Sequence, residues 1–181
     1  LIFNNDLDLN EIQKKDKQVA EKDSNDDDAL RIKKIRVNNT LCGAKKELKK
    51  DFIEKFDLID EYMSSKKYNV FASILKKSNV EVVSETNIIF SYKNNFDAVI
   101  FNKNMDEIDQ FVSKIFKKKY KTVCVTTNEW KKIKNEYIDN VKKGIRYNII
   151  DENEKILNKK NNELERTLDN IFGDKYIKVD E

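Results

Sequence analysis

The stretch 79–92, NVEVVSETNIIFSY, is where helical periodicity gives way, and its reading decides the fold class. Val80, Val82 and Val83, then Ile88, Ile89, Phe90 and Tyr92, form two short β-rich runs around Ser84-Glu85-Thr86-Asn87, the composition of a hairpin turn. Further along, 120–126 (YKTVCVT) alternates as a third strand, with Val123 and Val125 on one face. Between these strands Phe96, Ile100, Ile108, Phe111, Ile115 and Phe116 keep helical spacing over 95–118, with a break expected near Asn102–Asn104.

Working outward, Thr126-Thr127-Asn128-Glu129 is a capping box, a hydroxyl at the N-cap and a carboxylate three residues on. It predicts a helix to about Lys143, with Trp130, Ile133, Tyr137, Ile138 and Val141 as its apolar stripe. Upstream, Leu48, Phe52, Phe56, Ile59 and Met63 predict one helix over 44–64. Tyr68, Phe71, Ala72 and Leu75 predict another over 67–77, and 30–37 reads as a short helical lead-in. Near the C-terminus Asn162 and Glu165 form a second capping box, opening a helix through Leu164, Leu168, Ile171 and Phe172 that Gly173 ends. Tyr176-Ile177-Lys178-Val179 reads as an extended tail. The expected fold class is α+β: a small sheet of about three strands packed by helices, plus a C-terminal helix and tail.

Charge is segregated along the chain. Residues 1–28 are net −5, 29–150 net +11 and 151–181 net −3. With the periodicity, this gives an acidic flexible linker over 1–28, an α+β domain over 29–143, a second linker over 144–158, and the helix and tail over 159–181. The first segment lacks sustained apolar periodicity, although Leu1 to Ile12 could carry a short binding motif.

Several function classes are excluded by what the 181 residues lack. There is no His, so Ser-His-Asp, Cys-His and HExxH chemistry is absent. Zinc would need Cys42 and Cys124, which lie 82 residues apart with no second Cys near either. Gly43, Gly144 and Gly173 are scattered, so there is no phosphate-binding loop and no GxxG. Asp57, Asp60 and Glu61, and likewise Asp106, Glu107 and Asp109, read as solvated acids on helix faces or at a helix start. The expectation is a non-enzymatic domain with no cofactor, no metal and no small-molecule substrate.

No run approaches the roughly 18 apolar residues of a membrane span, and LIFNNDLDLNEIQ lacks the order of a signal peptide. Two Cys without a framework fit a reducing cytoplasm. The chain begins with Leu, so it is expected to be part of something longer. Lys outnumbers Arg 32 to 4 and Asn occurs 22 times, a bias that AT-rich coding explains before chemistry does. Even so, Lys45, Lys46, Lys49, Lys50, Lys117, Lys118 and Lys119 are candidate DNA contacts, with a further cluster at 131–134. They define the alternative function, a Lys-rich module contacting single-stranded or primed DNA. The aromatics argue against it, because most fall on core stripes.

Three motifs resemble a known family. Ile35-Arg36-Val37-Asn38-Asn39-Thr40-Leu41 followed by Gly43-Ala44-Lys45-Lys46 looks like the lead-in to the C-terminal domain of the tau (gamma/tau) subunit of bacterial DNA polymerase III. Val125-Thr126-Thr127-Asn128-Glu129-Trp130, continued by Ile133 to Tyr137, is similar to that family's strand and Trp-bearing helix. Ile171-Phe172-Gly173-Asp174 with Ile177 and Val179 resembles its terminus. The likeness spans roughly 30–181 and is nearest to low-GC Gram-positive and mycoplasma-like bacteria. It implies a replisome scaffold that tethers the polymerase α subunit to the clamp loader, with the replicative helicase as a second partner; weak DNA contact is instead an accessory expectation from the lysine clusters. The likeness also implies a KH-like topology used for protein binding. The ATPase module of the family lies outside this chain. The partner-facing candidates carried over are Trp130, Leu168, Phe172, Gly173, Tyr176, Ile177 and Val179.

Overall fold

The computed structural model describes residues 27–153. The chain divides into two units, Leu1–Ile32 and Lys33–Glu181. In the first, the described residues are 27–32, which are helical, with Arg31 paired to Asp28 at 3.4 Å. All that follows concerns the second.

Its elements are α1 (the helix 27–42, from Lys33 on), α2 (Lys46–Glu54), a 3-10 helix (Phe56–Tyr62), α3 (Asn69–Lys76), β1 (Asn79–Val83), β2 (Asn87–Tyr92), α4 (Asn95–Lys103), α5 (Met105–Phe116), β3 (Lys121–Thr126) and α6 (Thr127–Lys142). The fold is α+β, with one mixed three-stranded sheet in the order β1-β2-β3. β1 and β2 form the expected hairpin, with a bulge between Val80 and Val82. Within its turn the Ser84 amide donates to the Asn87 carbonyl at 2.9 Å, and the Asn87 amide donates to Ser84 Oγ at 2.9 Å.

β3 runs parallel to β2, from Asn87 opposite Lys121 to Tyr92 opposite Thr126. Parallel neighbours need a crossover connection, and α4 and α5 supply it. All six residues of β2 are buried, so the central strand is covered on both faces. Phe90 meets Phe101 at 5.3 Å and Phe52 at 6.3 Å, while Phe52 stacks on Phe116 at 4.2 Å and takes Tyr120 edge-on at 5.8 Å. These rings tie α2, α4, α5 and the sheet into one core.

Locally determined features match their reading. The crossover breaks at Asn104, between α4 and α5. Thr126 and Glu129 complete the capping box: the Glu129 amide donates to Thr126 Oγ1 and the Thr126 amide to Glu129 Oε2.

Four expectations change. The lead-in is a longer helix, reaching residue 42, because 35–41 is buried all round and its polar side chains find partners inside. The helix expected over 44–64 divides at Lys55, where i→i+3 bonds tighten the chain and turn Ile59 into the core while Met63 stays exposed. Phe96, which shares the helical spacing of 95–118 with Ile100 and Ile108, is 72% exposed, because α4 buries Ala98 and Phe101 instead. On α6 only Ile133 of the expected stripe is fully buried; Trp130 and Tyr137 are half-buried, and Ile138 and Val141 are exposed.

Of the stretch 144–158, residues up to Asn153 are described, without helix or strand beyond the turn at Gly144. Asn38 Nδ2 donates to the Asn148 carbonyl at 2.7 Å, and Asn39 donates to the Ile150 carbonyl at 2.8 Å while accepting from the Ile150 amide at 2.9 Å. The helix and tail over 159–181 lie outside the described residues, as does nearly all of 1–28.

Candidate functional site

An edge strand offers unpaired backbone groups, and a sheet of three strands has two such edges. On β3 that edge is closed by side chains. The Thr122 amide donates to Asp109 Oδ1 at 2.6 Å, and the Thr122 carbonyl accepts from Arg36 Nη1 at 2.7 Å. Asn102 binds both groups of Cys124, accepting from its amide at 2.9 Å and donating to its carbonyl at 2.8 Å. At one end of the strand the Tyr120 amide reaches Ser113 Oγ at 2.9 Å, and at the other the Thr126 amide reaches Glu129 at 2.7 Å. Four helices thus supply the hydrogen bonds that a fourth strand would have made.

Arg36 is the hub of this arrangement and is almost fully buried. Beyond Thr122, its Nε donates to Glu152 Oε1 at 2.9 Å, and its Nη1 lies 3.0 Å from Asp109 Oδ2. The sequence pattern groups Asp109 with Asp106 and Glu107 as solvated acids at a helix start. Asp109 is buried instead, because α5 turns it onto β3. Burial holds its carboxyl above the usual range, while Arg36 and the Thr122 donors pull the other way. Glu129 pairs with Lys33 Nζ at 3.3 Å besides capping α6. These charges hold the fold.

Burial pushes the thiols of both Cys42 and Cys124 upward, Cys124 by far the more. Among the described residues no group of three or more His, Cys, Asp or Glu is placed to hold a metal ion, and no helix is long and apolar enough to cross a membrane.

Two surfaces among the described residues bear on binding. The first is a groove of about 350 Å³ between α3 and α4, lined by Val70, Ile74, Tyr92 and Ile100 with Lys77 and Asp97. Val70 is 61% exposed, and Phe96 sits one helical turn before Ile100. The floor is fixed by the Tyr92 hydroxyl, which donates to the Ile74 carbonyl. The second is the end of the domain at the β1–β2 turn. Lys45 Nζ lies 3.5 Å from one oxygen of Glu85 and Lys118 Nζ 2.6 Å from the other. Lys49 donates to the Glu81 carbonyl at 2.9 Å, and Lys50 lies 3.9 Å from Glu54. Lys46, Lys117 and Lys119 are exposed.

Of the candidate DNA contacts, Lys45 and Lys118 are brought together at Glu85, Lys49 and Lys50 have partners of their own, and Lys46, Lys117 and Lys119 are exposed beside the first two in the chain. Of the candidate partner residues only Trp130 is described, half-buried in the first turn of α6; Leu168, Phe172, Gly173, Tyr176, Ile177 and Val179 lie outside the described residues. Sequence reasoning missed Arg36, Asp109 and Asn102. One signal was available for Arg36: in a chain with 32 Lys and 4 Arg, an Arg draws notice as a candidate for a place that needs a planar fork of donors. No family model matches the chain, and no curated protein or solved structure matches it.

Proposed function

We propose that this is a non-enzymatic scaffold domain of the bacterial replisome, working in the cytoplasm, which tethers the DNA polymerase III α subunit to the clamp loader. The identity of the partner, the helicase as a second one and the KH-like topology all rest on the resemblance of the three ordered motifs to tau. One observation carries the reading as a binder rather than a catalyst: the division of labour between side chains. The buried ionisable groups Arg36, Asp109 and Glu129 serve the backbone of β3 and α6, whereas large apolar side chains, Phe96 and Val70 among them, face outward beside a groove. Exposed apolar side chains around a concave floor are what a protein partner buries.

Retention of purified polymerase α by the immobilised chain tests this, with Phe96→Asp, with Val70→Asp and with residues 159–181 removed. Loss on groove substitution places the partner at α3 and α4, and loss on truncation places it on the tail. No retention by the intact chain refutes the scaffold reading.

A further inference from the structure

The lysine runs at 45–50 and 117–121 are some seventy positions apart in sequence and meet at one end of the fold. Three backbone features bring them there. α2 begins where Lys45 donates its amide to the Val83 carbonyl, at the end of β1. α5 ends at Lys117, whose left-handed backbone (φ 52°) turns the chain back towards the sheet. β3 then starts at Lys121, whose amide donates to the Thr86 carbonyl in the hairpin turn. The turn residue Glu85 lies between the runs, its two oxygens facing Lys45 and Lys118. Codon bias explains many lysines, but not their convergence from two elements onto one carboxylate.

The Glu85 carboxylate occupies a position that suits any small oxyanion, and Lys118 holds its carboxyl below the usual range. Lys46, next to Lys45, and Lys117 and Lys119, on either side of Lys118, are exposed, as are the acids Glu47 and Asp51 on α2. We propose that this end of the domain, with Lys45 and Lys118 at Glu85 and the exposed Lys46, Lys117 and Lys119 next to them in the chain, contacts the phosphate backbone of duplex nucleic acid.

The residue type favours phosphate over the carboxylates of an acidic protein. Compact ammonium charges on flexible stems follow a line of phosphates, whereas paired recognition of a carboxylate uses the arginine fork, and these runs contain no Arg. A duplex is favoured over a single strand because the nearby rings are engaged with one another. Phe52 stacks on Phe116, and Tyr120 sits edge-on to Phe52, leaving no platform for unpaired bases.

The test is fluorescence anisotropy of the full chain with a labelled 20-base-pair DNA duplex over a salt series. About four contacted phosphates give a slope of log K against log salt of about −3 to −4. Lys46→Glu/Lys117→Glu/Lys119→Glu is expected to weaken binding at least tenfold and flatten the slope. Lys131→Glu/Lys132→Glu/Lys134→Glu makes the same charge change on α6 and is expected to weaken binding far less. Glu85→Gln frees two ammonium groups and is expected to tighten binding several-fold. Circular dichroism checks that each variant stays folded, which exposed positions favour. A slope shallower than −1 overturns the proposal, as does equal loss in the two triple variants. Tighter binding of the matching single strand also overturns it. So does displacement of the duplex by polyglutamate of equal charge as readily as by unlabelled duplex, which would mark an acidic protein surface as the ligand.

Discussion

Replacing Arg36 with Met keeps most of the side-chain volume and removes the fork. Three partners are then stranded: the Thr122 carbonyl (2.7 Å from Nη1), Glu152 (2.9 Å from Nε) and Asp109 (3.0 Å from Nη1). Removing one member of a buried ion pair costs about 3–5 kcal/mol, because the other charge is left in a poor dielectric. Taking about 4 kcal/mol and a urea slope of about 2 kcal/mol per molar, the unfolding midpoint falls by about 2 M. Arg36→Lys keeps the charge opposite Asp109 but cannot span Thr122 and Glu152 together, so its loss is expected to be smaller, about 1–2 kcal/mol.

Acidity separates this account from simple misfit. Burial already holds the Asp109 carboxyl above its ordinary range, and without Arg36 it rises further. Between the ordinary and the raised value the folded state binds a proton that the unfolded chain does not, so stability contributed by this group increases as pH falls. The deficit of Arg36→Met measured at pH 7 is therefore expected to shrink towards pH 5. Urea titrations of the full chain at both pH values check this. A deficit under about 1 kcal/mol at pH 7, or one that grows on acidification, would refute the assignment of Arg36 as the hub of the β3 edge.

Three further outcomes follow from the same geometry. Asn102→Ala strands both the amide and the carbonyl of Cys124; it is expected to lose about 1–3 kcal/mol in urea titration, and self-association seen by light scattering would show the edge reopened. Lys117→Gly relieves a left-handed backbone that disfavours side chains and is expected to stabilise by about 1 kcal/mol, read as a raised thermal midpoint. In the folded chain a thiol-specific disulfide reagent at pH 8 is expected to modify Cys42 slowly and Cys124 only on unfolding. Because the native state keeps protons that the unfolded thiols release, stability should decline as pH climbs past the ordinary thiol range.

What the amino-acid sequence determined by itself is what short-range physics determines. The hairpin at 79–92, the break at Asn104 and the Thr126–Glu129 cap are set by neighbours within a few residues, through alternation, helical period and local hydrogen bonds. The absence of His and of clustered glycines likewise excluded whole classes of chemistry without coordinates. Partners far along the chain were beyond that reach. Arg36 meets Thr122, Asp109 is turned from an apparent surface acid into a buried ligand of β3, and Lys45 and Lys118 share Glu85. Those pairings exist because a parallel strand needed a two-helix crossover and its outer edge had to be closed. Only the packed structure says which polar side chains close that edge and which lysines gather at the turn. A polar side chain has no periodicity of its own: it is buried or exposed according to what the fold places opposite it.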